Sequence, residues 1–495
     1  MHFLNQFLKS IKKHSKKNAF CIDETFYTYE QFAQSVSNIR HIIRSTINES
    51  EKLIGLVTND DLETYAAIFA LWLEGKAYVP VNPLYPKERN LQILKLTAST
   101  YILDSSELSV YSKELTVIQT NKLNNTTLIV NEIAINSQDI AYILFTSGST
   151  GVPKGVPITF ENLNALTEAL NEDPLFNLNS SDKCLQMFEL TFDFSLVTFL
   201  PPILFGACVY TIPKNAIKYF YIFKLIQNQG LTVLTMVPSI IHYLRPYFNE
   251  INSTTVRYCS FGGGKLHSDI AQEWSLCIPK SQIFNYYGPT EFTVYSGYYP
   301  YDPETHTKNH NGIISIGKTL NAVKYLIVDT NNVEVPIGET GELCLAGNQL
   351  TPGYWKNEEK NAEAFFVREE NGERIRYYKT GDLCFLDHEG DYMYVGRSDF
   401  QVKIRGYRVE LGEIEFYVKE KIAQKEIVVI DITNELDNTE LALAIVAKPF
   451  DLSEVQKHLK EKLPSYMVPT KYAFFDELPH SVNGKVNMKE LRSKF

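Results

Sequence analysis

The sequence has no hydrophobic run long enough to cross a membrane and no pair of closely spaced cysteines. A membrane-spanning helix needs about 20 consecutive apolar residues, and no stretch of the 495 residues approaches that length. The seven cysteines stand singly, so their spacing fits neither a zinc site nor a disulfide framework. We therefore expect reduced thiols and a cytoplasmic protein.

The sequence also lacks an excess of basic residues. Its formal net charge is −10, whereas a nucleic-acid-binding protein normally carries a basic face. Apolar residues make up 44% of the chain and charged residues 21%, which is typical of a globular protein with a large core. The length allows two to four domains.

The first residues form an amphipathic pattern with lysines after it. Its apolar positions are Phe3, Leu4, Phe7, Leu8 and Ile11. The basic run follows the apolar residues, which excludes a signal peptide. A transit peptide or a membrane-surface helix remains an alternative, but we favour a first helix that packs on the domain through its apolar stripe.

Apolar runs alternate with amphipathic helices from residue 53 to about residue 329, for example a strand at 53–57 and a helix at 62–74. This alternation predicts an α/β fold with stacked, mostly parallel sheets. After residue 312 short strands and turns indicate a small antiparallel or barrel-like subdomain. The last hundred residues predict a small α+β domain. We place the domains at 1–398 and 399–495.

Residues 145–155, FTSGSTGVPKG, form a loop that predicts anion binding. Glycines let backbone N–H groups converge, hydroxyls add donors, and Lys154 adds a positive charge. The apolar run 140–145 before it indicates a buried strand, and open α/β sheets bind ligands at strand ends. A Walker loop is excluded, because Gly155 follows Lys154. A flexible loop that binds nothing is the alternative.

The wording TSGSTGVPKG resembles the phosphate-binding loop of the adenylate-forming enzymes, which include acyl-CoA synthetases, luciferases and nonribosomal peptide synthetase adenylation domains. Six further segments match this family in its order, so that the resemblance spans residues 28–487. They are FDFS (192–195), NYYGPTE (285–291), GEL (341–343), YKTGDL (378–383), GRSDFQVKIRGYRVELGEIE (396–415) and NGKV (483–486). In particular, the sequence resembles stand-alone amino-acid-activating ligases such as D-alanine–carrier protein ligases.

The resemblance implies that a carboxylate attacks the α-phosphate of ATP to give an adenylate and pyrophosphate, with ATP and Mg²⁺ as cofactors. Negative charge gathers on the phosphates, so positioning and charge stabilisation would carry the catalysis. The implied ATP-binding residues are Thr146, Ser147, Gly148, Ser149, Thr150, Gly151, Lys154, Asn285, Tyr286, Tyr287, Gly288, Thr290, Asp382, Arg397 and Lys485.

Within this set the resemblance implies individual roles. Glu291 would bind Mg²⁺, unless it is a solvated surface residue. Asp382 would accept both ribose hydroxyls beside Arg397, unless the two form a surface salt bridge. Asn285 would bind the adenine amine. Tyr286 or Tyr287 would stack on the adenine ring, although both aromatics could equally belong to the core.

The implied catalytic residues are Lys485, Thr146 and Glu291. Lys485 would bridge the attacking carboxylate and the α-phosphate, and its alternative is a solvated tail lysine. In the family a small C-terminal domain rotates between two half-reactions. The implied hinge and thiol-channel residues are Asp399, Lys403 and Gly406.

Asp193 is the residue on which the substrate class depends. In the family an Asp in the segment Phe-Asp-x-Ser pairs with the ammonium group of an amino acid, and a buried carboxylate needs a cation. The alternative is an Asp that caps a helix. The carried-over pocket positions are Asp193, Phe194, Val197, Ser239, Cys259, Phe261, Tyr286, Val294 and Tyr295. Their bulk suggests a small amino acid such as alanine, glycine or serine.

The acceptor of the activated group would be a thiol. No carrier domain is recognisable in the sequence, so we expect a separate phosphopantetheinyl carrier protein. Two alternatives remain: an acyl- or aryl-CoA ligase that uses coenzyme A, against which Asp193 speaks, and a non-catalytic nucleotide-binding relative, against which Glu291, Asp382 and Lys485 speak.

Overall fold

The structure is a computed structural model, and it describes residues 2–128, 134–148, 151–422, 426–480 and 486–495. The predicted site residues Ser149, Thr150 and Lys485 lie outside these ranges. The chain divides into two compact units. The first consists of Met1–Asn82, Leu94–Leu144 and Gly155–Ser398. The second consists of Pro83–Ile93, Phe145–Lys154 and Asp399–Phe495. The predicted domain ranges 1–398 and 399–495 stay a prediction.

The helices before Asp399 are α1 (His2–Lys13), α2 (Tyr29–Thr46), α3 (Leu62–Leu73), α4 (Lys87–Leu96), α5 (Phe160–Glu172), α6 (Phe194–Phe205), α7 (Lys218–Gln229), α8 (Pro238–Leu244), α9 (Ser268–Cys277) and α10 (Glu358–Ala364).

The strands of the same region are β1 (Asn18–Ile22), β2 (Thr25–Thr28), β3 (Leu53–Val57), β4 (Ala77–Val81), β5 (Tyr101–Asp104), β6 (Thr116–Gln119), β7 (Ile140–Thr146), β8 (Lys154–Thr159), β9 (Lys183–Gln186), β10 (Cys208–Thr211), β11 (Val233–Met236), β12 (Tyr258–Phe261), β13 (Gln282–Tyr287), β14 (Gly297–Tyr301), β15 (Asn309–His310), β16 (Ile313–Ile314), β17 (Lys318–Thr319), β18 (Lys324–Val328), β19 (Gly341–Ala346), β20 (Phe365–Glu370), β21 (Glu373–Leu386) and β22 (Tyr392–Arg397).

Two large sheets carry the first unit. One has the strand order β17-β14-β13-β12-β11-β9-β10-β1-β2, and the other has the order β6-β5-β3-β4-β7-β8. Strands β9 to β13 pair in parallel with their neighbours among themselves, and so do β3 to β6. A smaller antiparallel sheet contains β18 to β22. The predicted α/β class, with its antiparallel subdomain, is confirmed.

Strand β3 and helix α3 show why the sequence pattern located these elements. Strand β3 is buried and pairs in parallel with β4 and β5, and parallel strands covered on both faces are continuous apolar runs. Helix α3 begins after Asp61, whose side chain accepts from the N–H of Thr64 at 2.9 Å. It ends before Gly75, which has φ +60° and suits the left-handed turn after a helix.

Helix α1 packs on the first unit through its apolar stripe, as predicted. Phe3 and Phe7 are fully buried, and the ring of Phe7 stacks on Phe69 at 4.2 Å between centroids. In the part of the chain that the structure describes, no helix combines the length and the apolar character that a membrane crossing requires. All seven cysteines are buried free thiols.

The second unit has its own α+β core. Its elements after Asp399 are β23 (Gln401–Ile404), β24 (Tyr407–Glu410), α11 (Leu411–Ile422), β25 (Glu426–Thr433), β26 (Thr439–Val446), α12 (Ser453–Lys462), β27 (Lys471–Phe475) and α13 (Met488–Arg492). Strands β25, β26 and β27 form one sheet, and β23 and β24 form a hairpin. Arg405 and Gly406 join the hairpin with φ +52° and +90°, the left-handed pair that a tight hairpin turn requires.

Asp60 provides a stability prediction in the first unit. Burial raises the pKa of its carboxyl from 3.8 to about 6, so the folded state holds a proton that the unfolded state has lost between about pH 4 and pH 6. Stability therefore falls as the pH rises through this window. We expect Asp60→Asn to stabilise the protein by about 2–3 kcal/mol above pH 6 and by much less near pH 4.

The measurement for this prediction is thermal unfolding from pH 4 to pH 8. Asparagine tolerates the backbone φ of +59° at this position and can still accept the Tyr65 hydroxyl, which now donates to Asp60 Oδ1 at 2.9 Å. Asp23→Asn is the control, since Asp23 is an exposed residue with φ +48°. An equal gain from Asp23→Asn, or a gain that is independent of pH, would contradict the prediction.

Candidate active site

Asp382 lies at the centre of a buried cluster in the first unit. Its Oδ1 accepts from Nη1 of Arg397 at 2.7 Å, and its Oδ2 accepts from the hydroxyl of Tyr287 at 2.5 Å. Asp382 and Arg397 face each other across strands β21 and β22, and their side chains are 8% and 13% exposed. The pair is therefore not a surface salt bridge. The structure brings these three predicted nucleotide-binding residues together.

The Tyr287 phenol is a donor in this cluster because it stays protonated. Burial, and after it the negative charge of Asp382, raises the pKa of Tyr287 well above its usual value. A neutral phenol can only orient the Asp382 carboxylate by donating to it. Arg397 and Tyr287 thus fix the carboxylate plane from two sides.

Asn285 and Tyr286 precede Tyr287 on β13 and point to opposite faces of the sheet. The amide nitrogen of Asn285 donates to the carbonyls of Ile314 and Ser315 at 3.2 and 2.9 Å. The ring of Tyr286 stacks on Tyr295 at 4.1 Å with an interplanar angle of 19°. Tyr286 therefore lies in the aromatic core beside the predicted substrate pocket, and Tyr287 lies with Asp382.

Glu291 is fully buried, so it is not a solvated surface residue. It lies in the short 3₁₀ turn Thr290–Phe292, and its Oε1 accepts from the hydroxyl of Tyr354 at 2.6 Å. The preceding Gly288 has no room for a side chain, because a Cβ there would come within 2.1 Å of the carbonyl oxygen of Val294. The backbone at Gly288 therefore packs directly against Val294, just before the turn that contains Thr290 and Glu291.

The Glu291 carboxylate is a suitable ligand for a magnesium ion. Among the described residues, no three His, Cys, Asp or Glu side chains are grouped so that they could hold a metal ion by themselves. Mg²⁺ is commonly held by one or two carboxylates, with phosphate oxygens and waters as its other ligands. The single carboxylate of Glu291 fits that donor set.

The predicted phosphate loop belongs to the second unit. A Cβ at Gly148 would come within 2.0 Å of the carbonyl oxygen of Val152, and Gly151 has φ +78°, so both positions need glycine. Thr146 ends strand β7, and its Oγ1 lies 3.5 Å from the carbonyl oxygen of Lys154. Ser147 is buried. In the described part of the loop, close backbone contacts and a positive φ thus determine the conformation.

Asp193 immediately precedes helix α6 and is 5% exposed. Its backbone is helical, with φ −59°, and its side chain makes no capping hydrogen bond, so the capping alternative is wrong. Burial raises the pKa values of Tyr78 and Tyr295, and the Asp193 carboxylate adds to both shifts. The carboxylate therefore lies close to these two phenols in an apolar part of the first unit.

Aromatic rings surround the start of α6. Phe194 packs edge-on against Tyr295 at 5.4 Å, and Tyr295 carries the stacked Tyr286. A Cβ at Gly262 would come within 2.7 Å of the Phe194 ring. The predicted pocket residues Val197 and Val294 are also buried.

The structure does not bring Cys259 and Phe261 to this aromatic group. The side chain of Ser260 hydrogen-bonds Thr235 at 2.9 Å and interacts with the Tyr295 hydroxyl. Side chains alternate along a strand, so Cys259 and Phe261 lie on the other face of β12. The triple glycine 262–264 made the alignment of this segment with the family's pocket positions uncertain by one residue. Ser260 and Gly262 lie at this aromatic group instead, and the two-residue period of a strand was the signal that could have found them.

Three buried hydroxyls of the first unit have no hydrogen-bond partner among the described residues. They are Tyr142 OH, Thr191 Oγ1 and Ser239 Oγ. Tyr142 lies near Asp193, whose charge adds to the effect of burial in raising the pKa of this phenol, and Thr191 precedes Asp193 by two residues. Unsatisfied buried polar atoms are uncommon and need a cause. Ordered water or a polar ligand can supply such a partner.

The predicted hinge and thiol-channel residues lie in the second unit. Asp399 is its first residue after Ser398, and its Oδ1 accepts from the N–H of Gln401 at 3.1 Å. Lys403 lies on β23, and Gly406 lies in the hairpin turn. Their predicted roles stay predictions.

Comparison with protein families then gives two matches. Residues 7–355 match the family of AMP-binding enzymes, and residues 413–485 match the AMP-binding enzyme C-terminal domain. The chain belongs to the AMP-binding enzyme family. The predicted membership of the adenylate-forming superfamily is thereby confirmed.

Individual relatives agree with this assignment. The chain is 32% identical over 480 residues to tyrocidine synthase 3 of Brevibacillus parabrevis, with 96% of this chain but 7% of the synthase covered. The chain thus spans a small part of the length of that relative. The Vibrio cholerae adenylation domain AlmE, solved with glycyl-adenosine-5′-phosphate, is similar with a TM-score of 0.88 and 24% identity, over 99% and 97% of the two chains.

Two further solved structures share the fold. An artificially fused adenylation–PCP di-domain, NpsA-ThdA from Klebsiella oxytoca, has a TM-score of 0.82 at 22% identity, over 95% of this chain and 93% of that one. The o-succinylbenzoate CoA synthetase of Bacillus subtilis has a TM-score of 0.83 at 22% identity, over 99% and 98%. At these identities the likeness shows the fold.

Proposed function

We propose that this chain uses ATP to activate the carboxylate of a small amino acid as an aminoacyl-adenylate, with release of pyrophosphate, and then transfers the aminoacyl group to the phosphopantetheine thiol of a carrier protein. The observation that carries the proposal is Asp193, a buried carboxylate without a capping role. It lies near the phenols of Tyr78, Tyr142 and Tyr295 in the first unit. Family membership supports the adenylation step.

The residues of the first unit would hold the nucleoside and the metal. The Asp382 carboxylate, oriented by Tyr287 and Arg397, would accept the ribose hydroxyls, and Asn285 would bind the adenine amine. Glu291 would hold Mg²⁺ with Tyr354 donating to it, and the ion would neutralise charge on the triphosphate. Holding both reactants in place supplies much of the rate enhancement in such reactions.

The phosphate loop and Lys485 would act on the charge that develops on the phosphates. Ser147, Gly148 and Lys154 would bind phosphate oxygens through a hydroxyl, a backbone N–H and an ammonium group. Lys485 would stabilise the transition state at the α-phosphate. Asp399, Lys403 and Gly406 keep their proposed hinge and thiol-channel roles.

The pocket favours a small amino acid with a free ammonium group. Asp193 would pair with that group, since a buried carboxylate is stabilised by a cation. Phe194 and the stacked Tyr286 and Tyr295 limit the space for a side chain, and Ser260 replaces Cys259 among the lining residues that we propose. Glycine is the first candidate, because AlmE, which has the same fold, was solved with a glycyl-adenylate.

A coenzyme A ligase is the second candidate function, because the o-succinylbenzoate CoA synthetase shares the fold. The similarity to an adenylation–PCP di-domain favours a carrier protein. The proposal also includes that the carrier is a separate protein and that the reaction takes place in the cytoplasm. Thioester formation with a phosphopantetheinylated carrier protein, measured beside coenzyme A at equal thiol concentration, distinguishes the two acceptors.

The experiment for the first half-reaction is ATP–pyrophosphate exchange with all proteinogenic amino acids, their D-forms, and matched acids without the amine. We expect exchange with glycine, alanine or serine and none with acetate or propionate, because Asp193 demands an ammonium group. Excess chelator should abolish exchange, because Mg²⁺ completes the site at Glu291. Exchange with fatty or aryl acids only would instead overturn the proposed amino-acid substrate.

A further inference from the structure

Residues of the phosphate loop are already engaged by two carboxylates of the second unit. Nζ of Lys154 lies 2.7 Å from Oε1 of Glu410, and the N–H of Gly148 donates to Oε2 of Glu413 at 3.2 Å. The hydroxyl of Ser147 donates to the carbonyl oxygen of Arg408 at 2.9 Å. In the described part of the loop, an ammonium, a backbone N–H and a hydroxyl thus all contact residues 408–413. These are the donor types that bind phosphate.

The Glu413 carboxylate is held rigidly in its place. Nη1 of Arg89 donates to its Oε1 at 2.6 Å, and the two side chains are 7% and 0% exposed. Glu413 also lies in the first turn of α11, where the helix dipole favours a negative charge. Moving the carboxylate would separate two buried opposite charges, so its second oxygen is presented to Gly148 in a fixed position.

Helix α11 also packs directly on the glycines of the loop. A Cβ at Gly151 would come within 2.7 Å of the Phe416 ring, and the hydroxyl of Tyr417 donates to the carbonyl oxygen of Gly151 at 3.2 Å. Glu410, at the end of β24, accepts from Gln401 as well as from Lys154. The contacts therefore form one continuous patch from β24 to the second turn of α11.

We propose that Glu410 and Glu413 are built-in phosphate surrogates that compete with the triphosphate of ATP for this loop. The inference rests on the proposed function, in which the loop binds phosphate. The single N–H of Gly148 cannot donate fully to Glu413 and to a phosphate oxygen at once. The Lys154 ammonium has three donors, but the like charges of Glu410 and the triphosphate repel beside it. ATP binding must therefore displace the Gly148–Glu413 contact and work against the charge of Glu410. The measured affinity is lowered by the population of the blocked state.

The test measures binding of inorganic tripolyphosphate by titration calorimetry to the full chain and to three variants. Glu410→Gln keeps the size of the side chain and removes the negative charge that faces Lys154, so the anion no longer competes with that charge. We expect the affinity to rise about tenfold, the change that about 1.4 kcal/mol of lost competition gives. Glu413→Gln should also bind more tightly. Glu420→Gln, an exposed glutamate of the same helix, is the matched control and should equal the parent protein.

Unfolding is monitored for every variant, because Glu413→Gln leaves the buried Arg89 unpaired and can destabilise the unit. Glu410 is partly exposed, so we do not expect Glu410→Gln to unfold the second unit. The result for this variant alone therefore decides the test. Equal or weaker binding by Glu410→Gln would overturn the surrogate role and leave the proposed function standing. If neither the parent protein nor any variant bound tripolyphosphate, the phosphate role of the loop would fall, and the surrogate role with it.

Discussion

Asp193→Ala is expected to lower the catalytic efficiency of amino-acid activation by about 10²–10³-fold, because the substrate ammonium group would lose its buried partner. Removing one member of a buried ion pair costs about 3–5 kcal/mol, and each 1.36 kcal/mol is tenfold in rate. Asp193 is 5% exposed, so bulk water screens its charge little. The measurement is ATP–pyrophosphate exchange with the best amino acid of the panel.

The same variant gives a second readout that a merely unstable protein would not show. Asp193→Ala should use the matched acid without the amine at least as well as the parent protein does. The reason is that the Asp193 carboxylate is what lets the parent protein prefer the amino acid over that acid. Asp269→Ala is the control, since Asp269 is an exposed aspartate in the first turn of α9. Unchanged kinetics with the best amino acid would rule out the ammonium-binding role of Asp193.

Asp382→Ala is expected to lower the catalytic efficiency for ATP by about 10²–10³-fold. The variant loses the charged acceptor proposed for both ribose hydroxyls, and a hydrogen bond to a charged group contributes about 1.5–3 kcal/mol. Pyrophosphate exchange at varied ATP concentration measures the effect. The parent protein should discriminate strongly against 2′,3′-dideoxy-ATP, and Asp382→Ala should not.

Two controls separate this role from general damage. Binding of inorganic tripolyphosphate should be unchanged in Asp382→Ala, because the phosphate loop lies in the other unit. Asp391→Ala removes a different aspartate of the first unit, which contacts Lys308, and should retain the discrimination against dideoxy-ATP. If Asp382→Ala still discriminated as the parent does, the ribose role would be lost.

Local sequence patterns determined much of the fold. The strand at 53–57 lies where it was predicted, and the helix predicted at 62–74 runs from Leu62 to Leu73. Buried parallel strands are short apolar runs and helices repeat every 3.6 residues, so both leave a signal in consecutive residues. The antiparallel subdomain and the α+β character of the last hundred residues followed from the same kind of signal.

The motifs determined which residue types to examine but not their surroundings. The sequence could not show that Glu291 is fully buried beneath Tyr354, since the two residues are far apart in the chain. It could not show that Tyr287 donates to Asp382. Burial and hydrogen bonding between distant residues arise when strands from different segments assemble, and no local period records them.

By itself, then, the sequence determined the family and the α/β class, because motif sequences and local periodicity record them. The site residues that the motifs named stay predictions. The tertiary structure decided that Ser260 rather than Cys259 faces Tyr295, since one residue of register reverses the face of a strand. It also decided that Glu410 and Glu413 contact the phosphate loop. More than 250 residues separate these glutamates from the loop, and only folding brings their charges together.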